Sequence, residues 1–171
     1  MCLQTDAWSV VLLERKLIAL GNSMLTQSRI LRGYIVVVDI DGTLVPSGKG
    51  AESLSELTRE WVYQLKLRNR VFLCSNKKVH TRNLAVAEAL GVGYLNSPYR
   101  KPNKRALAGL QVDAPLMVVG DKFLTDGLFA RNIGAFFFKV PRIVSGDESL
   151  YDRFHHAFDD VAHFIYKRFT T

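Results

Sequence analysis

Cysteine is scarce. Only Cys2 and Cys74 occur in 171 residues, one near a terminus and one inside an apolar run. Two thiols in such unlike places build no disulfide framework, so the fold must rest on a hydrophobic core, and a reducing compartment fits. No stretch approaches the ~18 consecutive apolar residues of a membrane-spanning helix, because runs such as Tyr34 to Val38 and Ala135 to Phe138 are cut by charge. The opening residues lack the basic, apolar, then small-residue order of a secretory signal, and Asp6 and Glu14 argue against an organelle transit peptide. Acidic residues are outnumbered: 23 Lys and Arg against 16 Asp and Glu leave +7, a balance suited to a polyanion or an anionic surface. The expectation is a cytoplasmic protein, free or peripheral on the inner face of a membrane.

What is present is ordinary for a folded domain, with 48% hydrophobic and 23% charged residues, which excludes the disordered and collagen-like classes. No repeat or long Pro/Gly/Ser-rich linker divides the chain. Residues 1–33 read as an N-terminal helical segment. Its apolar stretch from Trp8 to Leu20, broken at Glu14 to Lys16, suits either a membrane interface with Trp8 as anchor or a helix packed on the core. Residues 34–171 form the main domain. There apolar runs near residues 34–38, 71–74, 94–95, 116–119 and 135–140 alternate with helical stretches near 53–68, 81–90, 103–110 and 126–132. This alternation predicts βαβ units and an α/β fold, a parallel sheet of about five strands covered on both faces. Trp61 and Cys74 read as core residues. Leu150, Phe154, Phe158, Val161 and Ile165 share one helical face, which fits the sheet's flank or a lipid interface, with His155, His156 and His163 as surface residues.

Ligands of an open parallel sheet sit beyond the carboxyl ends of its strands. Four of these ends are strongly polar: Asp39-Ile40-Asp41-Gly42-Thr43, Ser75-Asn76-Lys77-Lys78, Arg100-Lys101-Pro102, and Gly120-Asp121 with Asp126 five residues on. Each alone can be a turn or a cap. Together they bring carboxylates to one rim, where like charges repel unless a cation neutralises them.

That set points to phosphoryl transfer. Asp39 and Asp41, two apart on extended backbone, face the same way by the period of two, and Asp121 arrives from another strand. Hard oxygen ligands of this kind suit Mg²⁺, which binds a substrate phosphate beside one or two carboxylates. A carboxylate can attack phosphorus once a cation masks the repulsion between the anions. Lys101, the Ser75 hydroxyl and backbone N–H groups of the turn after Asp39 would hold the phosphate oxygens. Thr43 and Asn76 join that phosphate-binding set. Asp41 would protonate the leaving alcohol and later activate water.

The stretches Val36-Val37-Val38-Asp39-Ile40-Asp41-Gly42-Thr43-Leu44, Phe72-Leu73-Cys74-Ser75-Asn76, Lys101-Pro102 and Val118-Val119-Gly120-Asp121 through Thr125-Asp126 resemble, in order, the four motifs of the haloacid dehalogenase superfamily of phosphatases. Arg131 to Gly134 and Phe137 to Pro141 extend the resemblance to its subclass IIIA, the YqeG-type branch, which includes phosphatidylglycerophosphate phosphatases. It covers roughly residues 33–165. The chain departs from the branch at Gly42, Lys77 and Lys122, none of which removes a catalytic role. The resemblance implies a three-layer αβα Rossmann-like core, phosphorylation of Asp39, acid/base work by Asp41, and phosphate binding by Ser75 and Lys101. It also implies Mg²⁺ held by the Asp39 carboxylate, the Asp41 backbone carbonyl and Asp121, with Asp126 supporting through water or by orienting Lys101.

Phosphatases of this superfamily generally choose substrates with inserted cap domains. Here residues 42–74, 76–100 and 102–120 leave 33, 25 and 19 residues between the motifs, each interval taken up by one crossover, so no cap domain is expected. An uncapped site favours a bulky substrate, such as a phosphate displayed on a membrane. Between Arg59 and Arg105, 11 basic residues face only Glu60 and Glu88. Lys77, Lys78, Arg100, Lys101, Lys104 and Arg105 fall beside the expected rim, where they could dock on anionic lipid or on nucleic acid. The resemblance, taken with an open and basic site, thus implies a phosphate monoester hydrolase acting on phosphatidylglycerophosphate. Its alternatives are a phosphatase for a soluble monoester or nucleic-acid end, and a non-catalytic module binding anionic surfaces.

Overall fold

A computed structural model of the chain describes residues 32–144, 159–164 and 168. The expected N-terminal segment, apart from its last two residues, lies outside these. So do Leu150, Phe154, Phe158 and Ile165 of the tail's apolar face, with His155 and His156.

The first strand, β1 (Ile35–Val38), is a continuous aliphatic run with no side chain more than 1% exposed, as a strand covered on both faces requires. It sits at the centre of a five-stranded parallel sheet. β2 (Arg70–Leu73) and β3 (Gly93–Tyr94) lie to one side, and β4 (Leu116–Gly120) and β5 (Phe136–Lys139) to the other, in the order β3-β2-β1-β4-β5. The expected parallel α/β fold is what the chain adopts.

Alternate residues of β1 feed two cores. Val36 and Val38 pack with Trp61, Val62 and Leu65 of α1 (Glu56–Lys66) and with Val86, Ala87 and Leu90 of α2 (His80–Leu90). Val37 joins Cys74, Val118, Ala106, and Phe129 and Ala130 of α3 (Leu128–Ile133). Trp61 is 2% exposed and Cys74 fully buried, both in the core as expected. Burial raises the Cys74 thiol above its usual range, the mark of an inert sulfur. No described helix is long and apolar enough to cross a membrane.

Three helical expectations change in detail. The stretch expected from residue 53 begins as α1 at Glu56, because the Ser55 side chain accepts the Thr58 N–H and caps the helix. The stretch expected at 103–110 is only a 3₁₀ turn, Lys104–Leu107, closed off by Gly109 at φ +86°. The stretch expected at 126–132 divides into a π-helical turn, Phe123–Gly127, and α3. In the tail, Val161 is 55% exposed rather than inward. Among the described tail residues Asp159 is 3% exposed, and His163, expected at the surface, instead stacks its ring 5.1 Å from Phe123.

Sheet order decides where a ligand sits. The chain steps outward from β1 to β3, then returns across the sheet to β4, so the crossovers diverge between β1 and β4. A crevice opens at the carboxyl ends of two such strands. These ends carry Asp39 and Asp121.

Candidate active site

Asp39 follows β1 with its N–H donating to Val119 O at 2.9 Å, which ties the end of β1 to β4. Its carboxylate Oδ1 accepts from Lys101 Nζ at 2.6 Å, and the same ammonium reaches Asp126 Oδ1 at 2.6 Å. Lys101 is 4% exposed and both carboxylates are buried. Burial works against the charge on Lys101, but Asp126 and Asp39 outweigh it and hold the ammonium above its usual range. Burial also lifts Asp39. Lys101 pulls it back and the charges of Asp126 and Asp121 add to the rise, leaving it at about 7. Asp126 is raised as well, first by burial.

Carboxylate oxygens of Asp39, Asp121 and Asp126 lie within 4.8 Å of one another. With all three ionised, Lys101 and Arg142, which donates from Nε to Asp121 Oδ2, leave this group with three negative and two positive charges. Three hard oxygen donors with a residual negative charge fit Mg²⁺. The Asp41 carboxylate stands apart from this group, with partners of its own. Its oxygens accept from Gly48 N at 2.8 Å, Ser75 Oγ at 3.0 Å, and the Arg82 guanidinium at 2.8 and 2.7 Å. Burial would raise it, but the Arg82 and Gly48 hydrogen bonds and the charges of Arg82 and Lys77 prevail and hold it at about 2. Asp41 is therefore a carboxylate at neutral pH.

Two glycines make these contacts possible. Gly42 has φ +83°, and a Cβ there would lie 2.7 Å from Asp121 Oδ2, so the turn after Asp41 admits only glycine without moving Asp121. At Gly120 a Cβ would collide with the Asp126 carboxylate. Asp126 folds back against this bare strand end because the π-helical turn gathers its own N–H and that of Gly127 onto Lys122 O, at 2.8 and 3.3 Å. Such turns recur at functional sites.

Other expected phosphate ligands take structural partners instead. Thr43, fully buried, directs its hydroxyl to Asp121 Oδ1 at 3.4 Å. The N–H groups of Gly42, Thr43, Leu44 and Val45 donate to main-chain carbonyls within the turn, so these four are not available to a phosphate. Asn76 donates to Lys101 O at 2.9 Å and accepts from Lys101 N at 2.7 Å. Both ends of its amide thus serve the backbone of Lys101, and its part is to position that residue. Asn76→Ala is expected to destabilise the fold by roughly 1–2 kcal/mol, since each lost hydrogen bond of this kind costs roughly 1 kcal/mol. Thermal melts check it, and an unchanged melting temperature would remove Asn76 from the support of Lys101.

Arg82, Arg142 and Asp159 were not singled out by spacing. Arg142 lies two residues past Val140, so the rule that reads strand ends reaches it once the fifth run is included. Asp159 accepts from Phe123 N at 2.8 Å and Leu124 N at 2.7 Å, and Lys139 stands 3.5 Å from it. It thereby holds the start of the turn that carries Asp126, from 36 positions away. No local signal marks it or Arg82 among the other charges.

No family model, curated protein or solved structure matches the chain.

The geometry of the site ties metal binding to pH. Below about pH 7 Asp39 is protonated, and a cation must displace the proton to bind. Saturating Mg²⁺ at pH 8 is expected to raise the melting temperature by roughly 5–10 °C at a hundredfold excess over Kd. The shift shrinks at pH 5. Melts with Mg²⁺ and with chelator at both pH values measure it, and an equal shift at both would exclude Asp39 as a ligand.

Proposed function

We propose that the protein is a Mg²⁺-dependent phosphate monoester hydrolase acting through a phosphorylated Asp39 on a lipid of the phosphatidylglycerophosphate kind. One observation carries the reading: a buried ammonium, Lys101, sits 2.6 Å from both Asp39 and Asp126, two members of a three-carboxylate group. A site for structure alone gains nothing from assembling like charges that only a cation relieves. The order of the motifs resembles that of haloacid dehalogenase phosphatases, which agrees with it.

Asp39, Asp121 and Asp126 would hold Mg²⁺, with the Asp41 carbonyl as the further ligand the resemblance implies; the bound ion supplies charge that lets a carboxylate approach a phosphate. An Asp39 oxygen forms a bond to phosphorus as the bond from phosphorus to the alcohol oxygen breaks. Because Asp41 is ionised, the proton for the leaving oxygen enters on the substrate monoanion and passes through the Asp41 carboxylate. Water then loses a proton to Asp41 and attacks phosphorus, which frees Asp39 and inorganic phosphate. Lys101 donates to the phosphate oxygens, where transferred charge accumulates. Ser75 Oγ, 3.0 Å from Asp41 and 1% exposed, keeps that carboxylate aimed at the leaving oxygen.

The lipid is favoured by the rim. Lys101 is buried in the site, so five of the six expected basic residues remain to form a surface patch: Lys77, Lys78, Arg100, Lys104 and Arg105. Exposed Val79 and Tyr99 lie among them, and Arg105 stacks over Tyr99 at 5.4 Å. Each basic residue near an anionic membrane contributes on the order of 1 kcal/mol. Phosphate release with Mg²⁺ tests the reading, comparing phosphatidylglycerophosphate in mixed micelles with sugar phosphates, nucleotides and end-phosphorylated oligonucleotides, against Asp39→Asn as blank. Preference for the lipid is expected. Preference for a soluble monoester would keep the chemistry and overturn the membrane substrate, and no release above the blank would overturn both.

A further inference from the structure

We infer that Arg82 and Lys77 are the specificity-determining residues of this site, a cation pair that binds the second anion carried by the leaving alcohol. The inference rests on the reading above and names the residues that would select its substrate.

The charges around the site are unevenly divided. On the Asp39 side three carboxylates meet Lys101 and Arg142, a deficit of positive charge that suits a divalent cation. On the other side a single carboxylate, Asp41, meets both Arg82 and Lys77, whose ammonium lies 3.6 Å from Asp41 Oδ1. Among the described residues the next one, Lys78, donates to the carbonyls of Ser75 and Tyr99, at 3.2 and 3.0 Å, and to no carboxylate, so it adds a further positive charge. The surplus is therefore positive on the Asp41 side.

That side is where the leaving group must pass. Asp39 attacks in line, so the alcohol oxygen departs opposite it, and Asp41 serves that oxygen. Whatever the alcohol carries extends past Asp41 toward Arg82 and Lys77.

Both cations have donors to spare. Arg82 uses Nη1 and Nη2 on Asp41, and Nε with the second Nη2 hydrogen on Asn83 Oδ1 at 3.1 and 2.7 Å. Among the described residues one Nη1 hydrogen is left. Lys77 donates once, to Ser47 Oγ at 2.8 Å, and keeps two. The guanidinium is also fixed in place. Its support, Asn83, is fully buried and donates to Lys77 O at 2.7 Å and Tyr94 Oη at 3.1 Å. The Arg82 side chain is 12% exposed and that of Lys77 49%, so the pair is open to solvent chiefly at Lys77. A guanidinium preset in this way binds a phosphodiester or similar anion without first being ordered.

Two soluble substrates with the same reacting phosphate separate the outcomes. Glycerol 3-phosphate releases a neutral alcohol, whereas glycerophosphoglycerol phosphate, the deacylated lipid, releases one that bears a phosphodiester. With Mg²⁺ the protein should favour the second by roughly 30-fold or more in kcat/KM, and Arg82→Gln and Lys77→Gln should each cut the ratio about tenfold, chiefly through the KM of the anionic substrate. Arg82→Lys should restore part of it. Lys77 is half exposed, so Lys77→Gln keeps the test open if Arg82→Gln does not fold. A ratio near one in the unaltered protein, or a ratio that survives both substitutions, overturns the subsite and leaves the phosphatase reading standing. Release no greater than that of Asp39→Asn from either substrate overturns the phosphatase reading itself.

Discussion

Asp39→Asn is expected to abolish phosphate release, by on the order of 10⁴-fold or more as for loss of a nucleophile, while the metal-free protein melts no lower than before. The two halves of this result come from the same environment. Asp39 is buried beside Asp121 and Asp126, and its carboxyl is raised to about 7. An unfolded chain would release that proton near pH 4. Between these values the folded state binds the extra proton, so this carboxyl lowers the stability of the metal-free fold as pH rises from about 4 to about 7. An amide of the same shape carries no such cost and keeps an acceptor for Lys101. The variant should therefore lose its activity and its gain in melting temperature from Mg²⁺ together, with its circular dichroism unchanged. Full activity in Asp39→Asn would sink the phospho-aspartate mechanism, and a collapse in stability would mean that Asp39 serves the fold.

This coupling explains which parts of the site the sequence makes legible. Asp39, Ser75 and Asp121 each follow a short apolar run closely, and the parallel sheet is bound to bring such positions to one rim, whereas Lys101 reaches it from a loop seven residues past Tyr94. The runs are readable because β1 and β4 are buried on both faces and tolerate little but aliphatic residues. Partner choice within the rim is not readable this way. Asn76 and Thr43 stand where a phosphate ligand should, yet the nearest unsatisfied groups were the backbone of Lys101 and the carboxylate of Asp121, and buried polar groups are paired first. Arg82 reaches Asp41 across 41 positions and Asp159 reaches Phe123 across 36. Both contacts depend on how helices dock on the sheet, a property of the whole core that leaves no local spacing to read. The same docking turns Val161 outward and His163 inward.

Lys101→Met should show the other half of the design. The methionine matches the stem of the lysine in volume but carries no charge, so Asp39 and Asp126 are left facing each other in a buried site. Removing one partner of a buried ionic group typically costs about 3–5 kcal/mol, and the loss should be largest at pH 8, where both carboxyls tend to ionise, and smaller at pH 5, where they can take up protons. Mg²⁺ should recover much of that stability, because a divalent cation held by the same carboxylates neutralises them as the ammonium did. It should not recover activity. The ammonium also supplies a donor to the phosphate, and loss of one such donor lowers kcat by on the order of 10²–10³-fold. Melts at both pH values with and without Mg²⁺, beside kcat for the same variant, separate the two effects. If activity returned along with stability, Lys101 would be a structural counter-ion and nothing more. If stability falls and Mg²⁺ restores it while kcat stays low, one residue both holds the acidic group together and serves the transferred phosphate.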